Sequence, residues 1–281
     1  MTGDMLAPEH GDSSMKATGL LQQSVRAVVS MPAEAAVLAL ASAFQTTLKA
    51  APWRRRNNRP SDRPEDGDLA WPPEDSRQTP IVLVPGYLST TACWESLLVR
   101  LRQRGYHNIT VVQYNSLRMG VPEIAETVAE EASAAARRSG TRGVHLIGYS
   151  LGGLAIRYAL QFLGPDADAL SAITIATPHH GAPLAYAGLG PAAKQMRLKS
   201  ALLDELPPID SGGRVRWLLI GGKADLVVPI SSATAGGHVA SASIPVSGHL
   251  NIIDTPLLAD TVISHLASCR TGRKSPRVLA S

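Results

Sequence analysis

The sequence is short of aromatic residues and of cysteine. Phe, Trp and Tyr make up 4% of the 281 residues, and only Cys93 and Cys269 carry thiols. A nucleic-acid face of basic side chains interleaved with stacking aromatics has little material here, so no nucleic-acid partner is expected. The two cysteines lie far apart and form no metal-ligand cluster with the histidines, so no metal site is expected either. They read as two free thiols packing like small hydrophobes, with a single disulfide as the alternative. An uninterrupted apolar run is also missing: Ala27 to Leu48 comes near one, but Pro32 and Glu34 interrupt it, which argues against a transmembrane helix. Acids are absent after Ser268, where Arg270, Arg273, Lys274 and Arg277 stand. The excess of 27 basic over 23 acidic residues is therefore mostly a tail effect.

What is present falls into three parts. Residues 1–78 form an extension whose polar, aperiodic start reads as disordered, followed by a helix-competent segment from about Leu20 to Ala51. Besides a membrane span, that segment reads as a signal peptide cleaved near Ala41-Ser42-Ala43, or as an amphipathic helix on a membrane surface or docked on the catalytic domain. The amphipathic reading fits best, because acids precede Lys16 and the apolar run starts late for a signal. Arg54-Arg55-Arg56 and Arg59 suit an anionic lipid surface as well as a solvated linker. Membrane or cell-envelope association is thus favoured over a free cytoplasmic location. The charged, Pro-rich stretch from Pro52 to Pro80 marks a boundary near Thr79. Residues 79–268 read as a catalytic domain, and 269–281 as a basic tail.

In the catalytic domain, short apolar runs alternate with helical patterns. Strands are expected at Ile81–Val84, Ile109–Tyr114, Val144–Ile147, Ala172–Ala176 and Arg214–Ile220, with another candidate at Ile244–Val246. Helices are expected at Cys93–Arg104, Pro122–Arg138, Leu151–Leu163 and from about Pro256 to Ser268. This alternation predicts an α/β fold with a mostly parallel sheet covered on both faces, and a ligand site at the carboxyl ends of the strands.

Gly148-Tyr149-Ser150-Leu151-Gly152 follows one of those strands and opens a helix, which is how a nucleophile elbow reads. The turn is too tight for a side chain two residues to either side of the serine. A serine hydroxyl is a poor nucleophile unaided and needs a base, which in turn needs an orienting carboxylate. In this architecture they follow in the order Ser, acid, His. Asp225, just past a strand and a glycine turn, is the best acid; Asp204 and Asp210 suit surface or capping roles, and Asp254 reads as the N-cap of the last helix. His249, in the loop before that helix, is the base. His179 and His180 precede Asp225 and break the order, although they can line the site. A tetrahedral oxyanion needs two backbone donors. Leu151 N–H is one, and the loop Val84-Pro85-Gly86-Tyr87-Leu88 supplies the other from Tyr87, with Leu88 as the alternative.

These residues resemble the α/β-hydrolase superfamily, and within it the bacterial triacylglycerol lipases and esterases. Val82-Leu83-Val84-Pro85-Gly86-Tyr87 is similar to the oxyanion segment, with proline at 85 where these lipases commonly have histidine. Gly148-Tyr149-Ser150-Leu151-Gly152-Gly153 is similar to the elbow, and Ala176 to Pro183 to the segment leading into the cap. Gln195 to Leu203 resembles a cap helix. The resemblance covers about residues 79 to 268 and implies hydrolysis of carboxylic esters, acylglycerols included, with no cofactor. The roughly 30 residues between His179 and Pro208 are long for a connection in such a sheet, as lids are. The cap at about 179–208 and the oxyanion loop place Leu88, His179 and Met196 as candidate substrate contacts. Two other functions fit the same residues: an acyltransferase or thioesterase using the same triad, and a catalytically silent hydrolase-fold protein that binds lipid or a partner.

Overall fold

The computed structural model describes residues 77–165, 167–209, 213–237 and 239–269. The segment from Leu20 to Ala51, the linker before Arg77 and the tail after Cys269 lie outside the described residues.

A six-stranded sheet organises the chain, in the order β2-β1-β3-β4-β5-β6. The strands are β1 (Ile81–Val84), β2 (Ile109–Val111), β3 (Gly143–Tyr149), β4 (Asp168–Ile175), β5 (Arg216–Gly222) and β6 (Ala240–Ile244). Every neighbouring pair runs parallel. Parallel neighbours need crossovers, and helices supply most of them: α1 (Glu95–Gln103), α2 (Val121–Ser139), α3 (Leu151–Tyr158) and, behind β5, the short α6 (Ile230–Ala233). The last helix, α7 (Pro256–Ser268), packs beside α1. Two more short helices, α4 (Gly190–Gln195) and α5 (Ala201–Glu205), form the cap between β4 and β5.

Both faces of the sheet are covered, and β1 shows why its sequence is an unbroken apolar run. Val82 and Val84 join Ile124, Val128 and Leu154 in one core, whereas Ile81 and Leu83 join Leu97, Leu101, Val262 and Leu266 in the other. A strand alternates its side chains, so a strand buried on two faces needs apolar residues at every position. Each such aliphatic side chain contributes about 1.5–3 kcal/mol relative to its exposed state.

Several boundaries differ from those expected. The first helix begins as a 3-10 turn at Thr91–Trp94, and the strand expected to reach Tyr114 stops at Val111. The elbow helix relaxes into a π turn at Ala159–Leu163 and ends on Gly164 at φ 55°. The sixth strand lies at Ala240–Ile244 rather than Ile244–Val246. Its Ala-Ser-Ala-Ser composition at a sheet edge carries almost no apolar pattern, and Val246, at φ 52°, is in the turn beyond it. Asp254 is not the N-cap of the last helix. Thr255 is, its hydroxyl accepting from Leu258 N–H at 3.3 Å, while the Asp254 carboxylate accepts from the Ser96 hydroxyl. Both cysteines are free thiols, and burial pushes the Cys93 thiol up to about 12.

His145, in the middle of β3, is fully buried. Its Nδ1 lies 2.8 Å from Ser171 Oγ and its Nε2 has no hydrogen-bond partner among the described residues, so the site favours the neutral ring. Burial pushes the imidazole down to about 4. The unfolded chain therefore takes up the proton first as pH falls, and stability is lost between the ordinary histidine value near 6.5 and about 4. We expect the unfolding free energy, measured by denaturant titration, to fall across that window by up to about 1.4 kcal/mol per pH unit for this one group. His145→Gln is expected to flatten the slope, and an unchanged slope in that variant would refute the assignment.

Candidate active site

Ser150 stands between the end of β3 and the start of α3 with φ 52° and ψ −117°, a strained conformation for a residue with a Cβ. Such strain costs about 1–3 kcal/mol and is kept where surrounding structure enforces it. The enforcement here is close backbone packing. A Cβ on Gly152 would lie 2.1 Å from Val84 O, and one on Gly148 would lie 2.6 Å from Gly153 N. Ser150 N–H donates to Ile175 O at 2.8 Å, tying the turn to β4.

Asp225 and His249 come from loops that leave β5 and β6, and the structure brings both to Ser150. His249 Nε2 is 3.1 Å from Ser150 Oγ, and His249 Nδ1 is 2.8 Å from Asp225 Oδ2. All three residues are buried. The other carboxylate oxygen, Oδ1, accepts from Val227 N–H at 2.9 Å and Val228 N–H at 2.8 Å. Those two donors fix the orientation of the carboxylate, which in turn faces His249 Nδ1. Nε2 is left free to accept from the serine. This arrangement can take a proton from Ser150 and return it.

The loop after β1 hugs the serine: a Cβ on Gly86 would lie 3.1 Å from Ser150 Cβ. Leu88 N–H is already committed, donating to Ser116 Oγ at 3.0 Å. Tyr87 and Leu151 have amides with no protein acceptor among the described residues. Of the two residues weighed for the second donor, Tyr87 is thus the one whose amide is available. Proline at 85 cannot offer a side-chain hydrogen bond, and the loop is braced instead by Tyr114, whose hydroxyl donates to Pro85 O. The Tyr87 hydroxyl also grips the cap, donating to Leu189 O at 2.7 Å and accepting from Leu189 N–H at 2.9 Å.

The other sequence candidates take different places. His179 is 1% exposed, with Nε2 2.9 Å from Thr174 Oγ1, and burial keeps its ring neutral. Met196 is buried in the core that contains Leu202. Both are closed to solvent. Leu88 is half-buried, His180 is exposed and Asp204 is on the outside of α5, while Asp210 lies outside the described residues. Sequence reasoning missed Arg157, which is 4% exposed. Its guanidinium donates to His179 O at 3.2 Å and Pro207 O at 2.8 Å, pinning both stems of the cap to α3. The signal was available: Arg157 is the only charge between Leu151 and Leu163.

No family model matches the chain, and no curated protein matches it by sequence. Solved structures do match. A lipase from Bacillus licheniformis in its mature form superimposes with a TM-score of 0.59 at 18% identity, over 73% of this chain and 96% of that one. A phospholipase from Legionella pneumophila gives 0.59 at 15% identity, over 69% of this chain and 61% of the other. Lipase B of Aspergillus fumigatus gives 0.58 at 17%, over 74% and 56%. The chain spans 54% of the propeptide form of the Bacillus protein. At these identities the likeness is one of fold. The chain has the α/β-hydrolase fold, with the parallel sheet, helices on both faces and small cap that the sequence pattern implies.

Two variants probe this geometry. Gly152→Ala is expected to cost about 3 kcal/mol or more, read as a lowered denaturation midpoint, because the intruding methyl meets backbone. Asp225→Asn is expected to slow fluorophosphonate modification of Ser150 by about 10²–10⁴-fold with the fold retained. A rate equal to that of the unaltered protein would remove the carboxylate from the relay.

Proposed function

We propose that the protein is a serine carboxylic-ester hydrolase of lipase or esterase type, acting on apolar esters such as acylglycerols. The observation that carries this reading is the continuous relay from Asp225 Oδ2 through His249 to Ser150 Oγ, at 2.8 and 3.1 Å.

Ser150 attacks the ester carbonyl as His249 Nε2 takes its proton. Asp225 stays ionised and stabilises the imidazolium. The Tyr87 and Leu151 amides receive the oxyanion, and Leu151 adds the positive end of α3. His249 then returns the proton to the departing alcohol, leaving an acyl-serine. Water, deprotonated by the same histidine, hydrolyses the acyl-serine and restores the hydroxyl. No cofactor enters the scheme. An apolar acyl group is supported by the apolar side chains that the cap offers, Leu184 and Leu198 being exposed. The similar folds named as lipases and a phospholipase point the same way.

Ser150→Ala tests the reading. Hydrolysis of p-nitrophenyl butyrate is expected to fall by about 10⁶-fold, to the residual rate of a site without its nucleophile, while thermal unfolding is unchanged. Turnover retained in that variant would sink the mechanism. A chain-length series of esters then separates an esterase from a lipase.

A further inference from the structure

Tyr149 is the last residue of β3, 3% exposed, and no step of the proposed reaction uses it. It touches the base from beneath in two ways. Its hydroxyl donates to the backbone carbonyl of His249 at 2.7 Å, and its ring lies against the imidazole, with centroids 5.3 Å apart and planes tilted by 33°. The same ring supports the oxyanion loop, since a Cβ on Gly86 would come within 3.0 Å of Tyr149 Cδ1.

We propose that Tyr149 is a positioning residue for the base: it anchors the main chain of His249 to the sheet, so that Nε2 stays within reach of Ser150 Oγ. The inference rests on the serine-hydrolase reading for its kinetic consequence, but not for its geometry. His249 needs such an anchor because its loop leaves β6 through an exposed and strained residue. Val246, three residues earlier, is β-branched, 88% exposed and at φ 52°. The loop is tied at Ser247, whose carbonyl accepts from Ala224 N–H at 3.1 Å, and at Gly248, whose N–H donates to Asn251 Oδ1 at 2.8 Å. Neither bond is made by His249 itself. Its carbonyl is held by Tyr149, and Tyr149 is held by the β3 to β4 ladder through its pairing with Ile175. The nucleophile is the very next residue, so Ser150 and the anchor of its base move as one unit. A side chain on a strand fixes position better than one on a loop, and a misplacement of about 1 Å at a reacting pair can cost ~10²-fold. Burial raises the phenol well above its ordinary value, so the donor keeps its proton throughout the working pH range. The hydroxyl meets a carbonyl and no reacting atom, so its effect passes through His249.

Tyr149→Phe in the full chain removes only the hydroxyl and keeps the ring that fills the core. Two readouts are taken together: steady-state hydrolysis of p-nitrophenyl butyrate, and the proton NMR signal of the His249 Nδ1–H in its bond to Asp225. We expect kcat to fall about tenfold with KM within about twofold, and the Nδ1–H signal to broaden or shift. Thermal unfolding is followed alongside, and kcat is measured well below the transition. An unchanged Nδ1–H signal with unchanged kcat overturns the proposal, as does a loss of thermal stability with neither readout affected. If the unaltered protein hydrolyses no ester, the hydrolase reading fails. The NMR comparison then still decides whether Tyr149 positions His249.

Discussion

The structure depends on one steric constraint, the absence of side-chain atoms at Gly148, Gly152 and Gly153. At those three points the end of β3 and the start of α3 pack so closely on each other and on their neighbours that a Cβ on Gly153 would lie 1.9 Å from the Thr177 side chain at Oγ1, and one on Gly152 2.1 Å from the backbone at Val84 O. This contact brings the elbow against the loop after β1 and the loop after β4 together. Ser150 is thereby held in its strained conformation, φ 52° and ψ −117°, against the loop that contains Gly86. The cost of the strain is met by the two cores, where the aliphatic side chains of β1 and β3 are wholly buried.

Around that turn, the polar groups are arranged to keep charge in fixed places. Asp225 is buried with three partners on its carboxylate, two of them backbone amides and the third His249 Nδ1, so its orientation is fixed from both oxygens. Arg157 solves the opposite problem. Its guanidinium is buried and meets main-chain carbonyls at His179, Leu206 and Pro207. Five donors in a rigid fork suit that task. The result is a cap whose two ends are tied to the elbow helix, and whose α4 is tied through Leu189 to the loop after β1. A movement of the cap therefore has a direct mechanical path to the residues around Ser150.

Much of this is legible in the sequence. The unbroken apolar run of β1 reports burial on both faces, and the order Ser150, Asp225, His249 singles out three residues far apart in sequence. Other features were not legible. β6 is an Ala and Ser edge strand with no hydrophobic alternation to betray it. Asp254 carries the sequence signature of a cap, but the adjacent Thr255 takes the position, and Asp254 turns instead to Ser96, which is remote in sequence. Arg157 gave only the signal of a lone charge in an apolar helix, and nothing local says that it would be buried against the carbonyls of His179 and Pro207.

The sequence by itself determined the α/β class, the elbow and the identity of the three groups around it, because periodicity and glycine spacing are local properties of a chain. Tertiary structure decided which amide of the loop after β1 is uncommitted among the described residues, what braces that loop, what secures the cap and what lies against His249. Each of those is a contact between residues tens of positions apart: Leu88 with Ser116, Tyr114 with Pro85, Arg157 with Pro207, Tyr149 with His249. Such pairings depend on where the sheet sets each strand end, and no window of sequence encodes them.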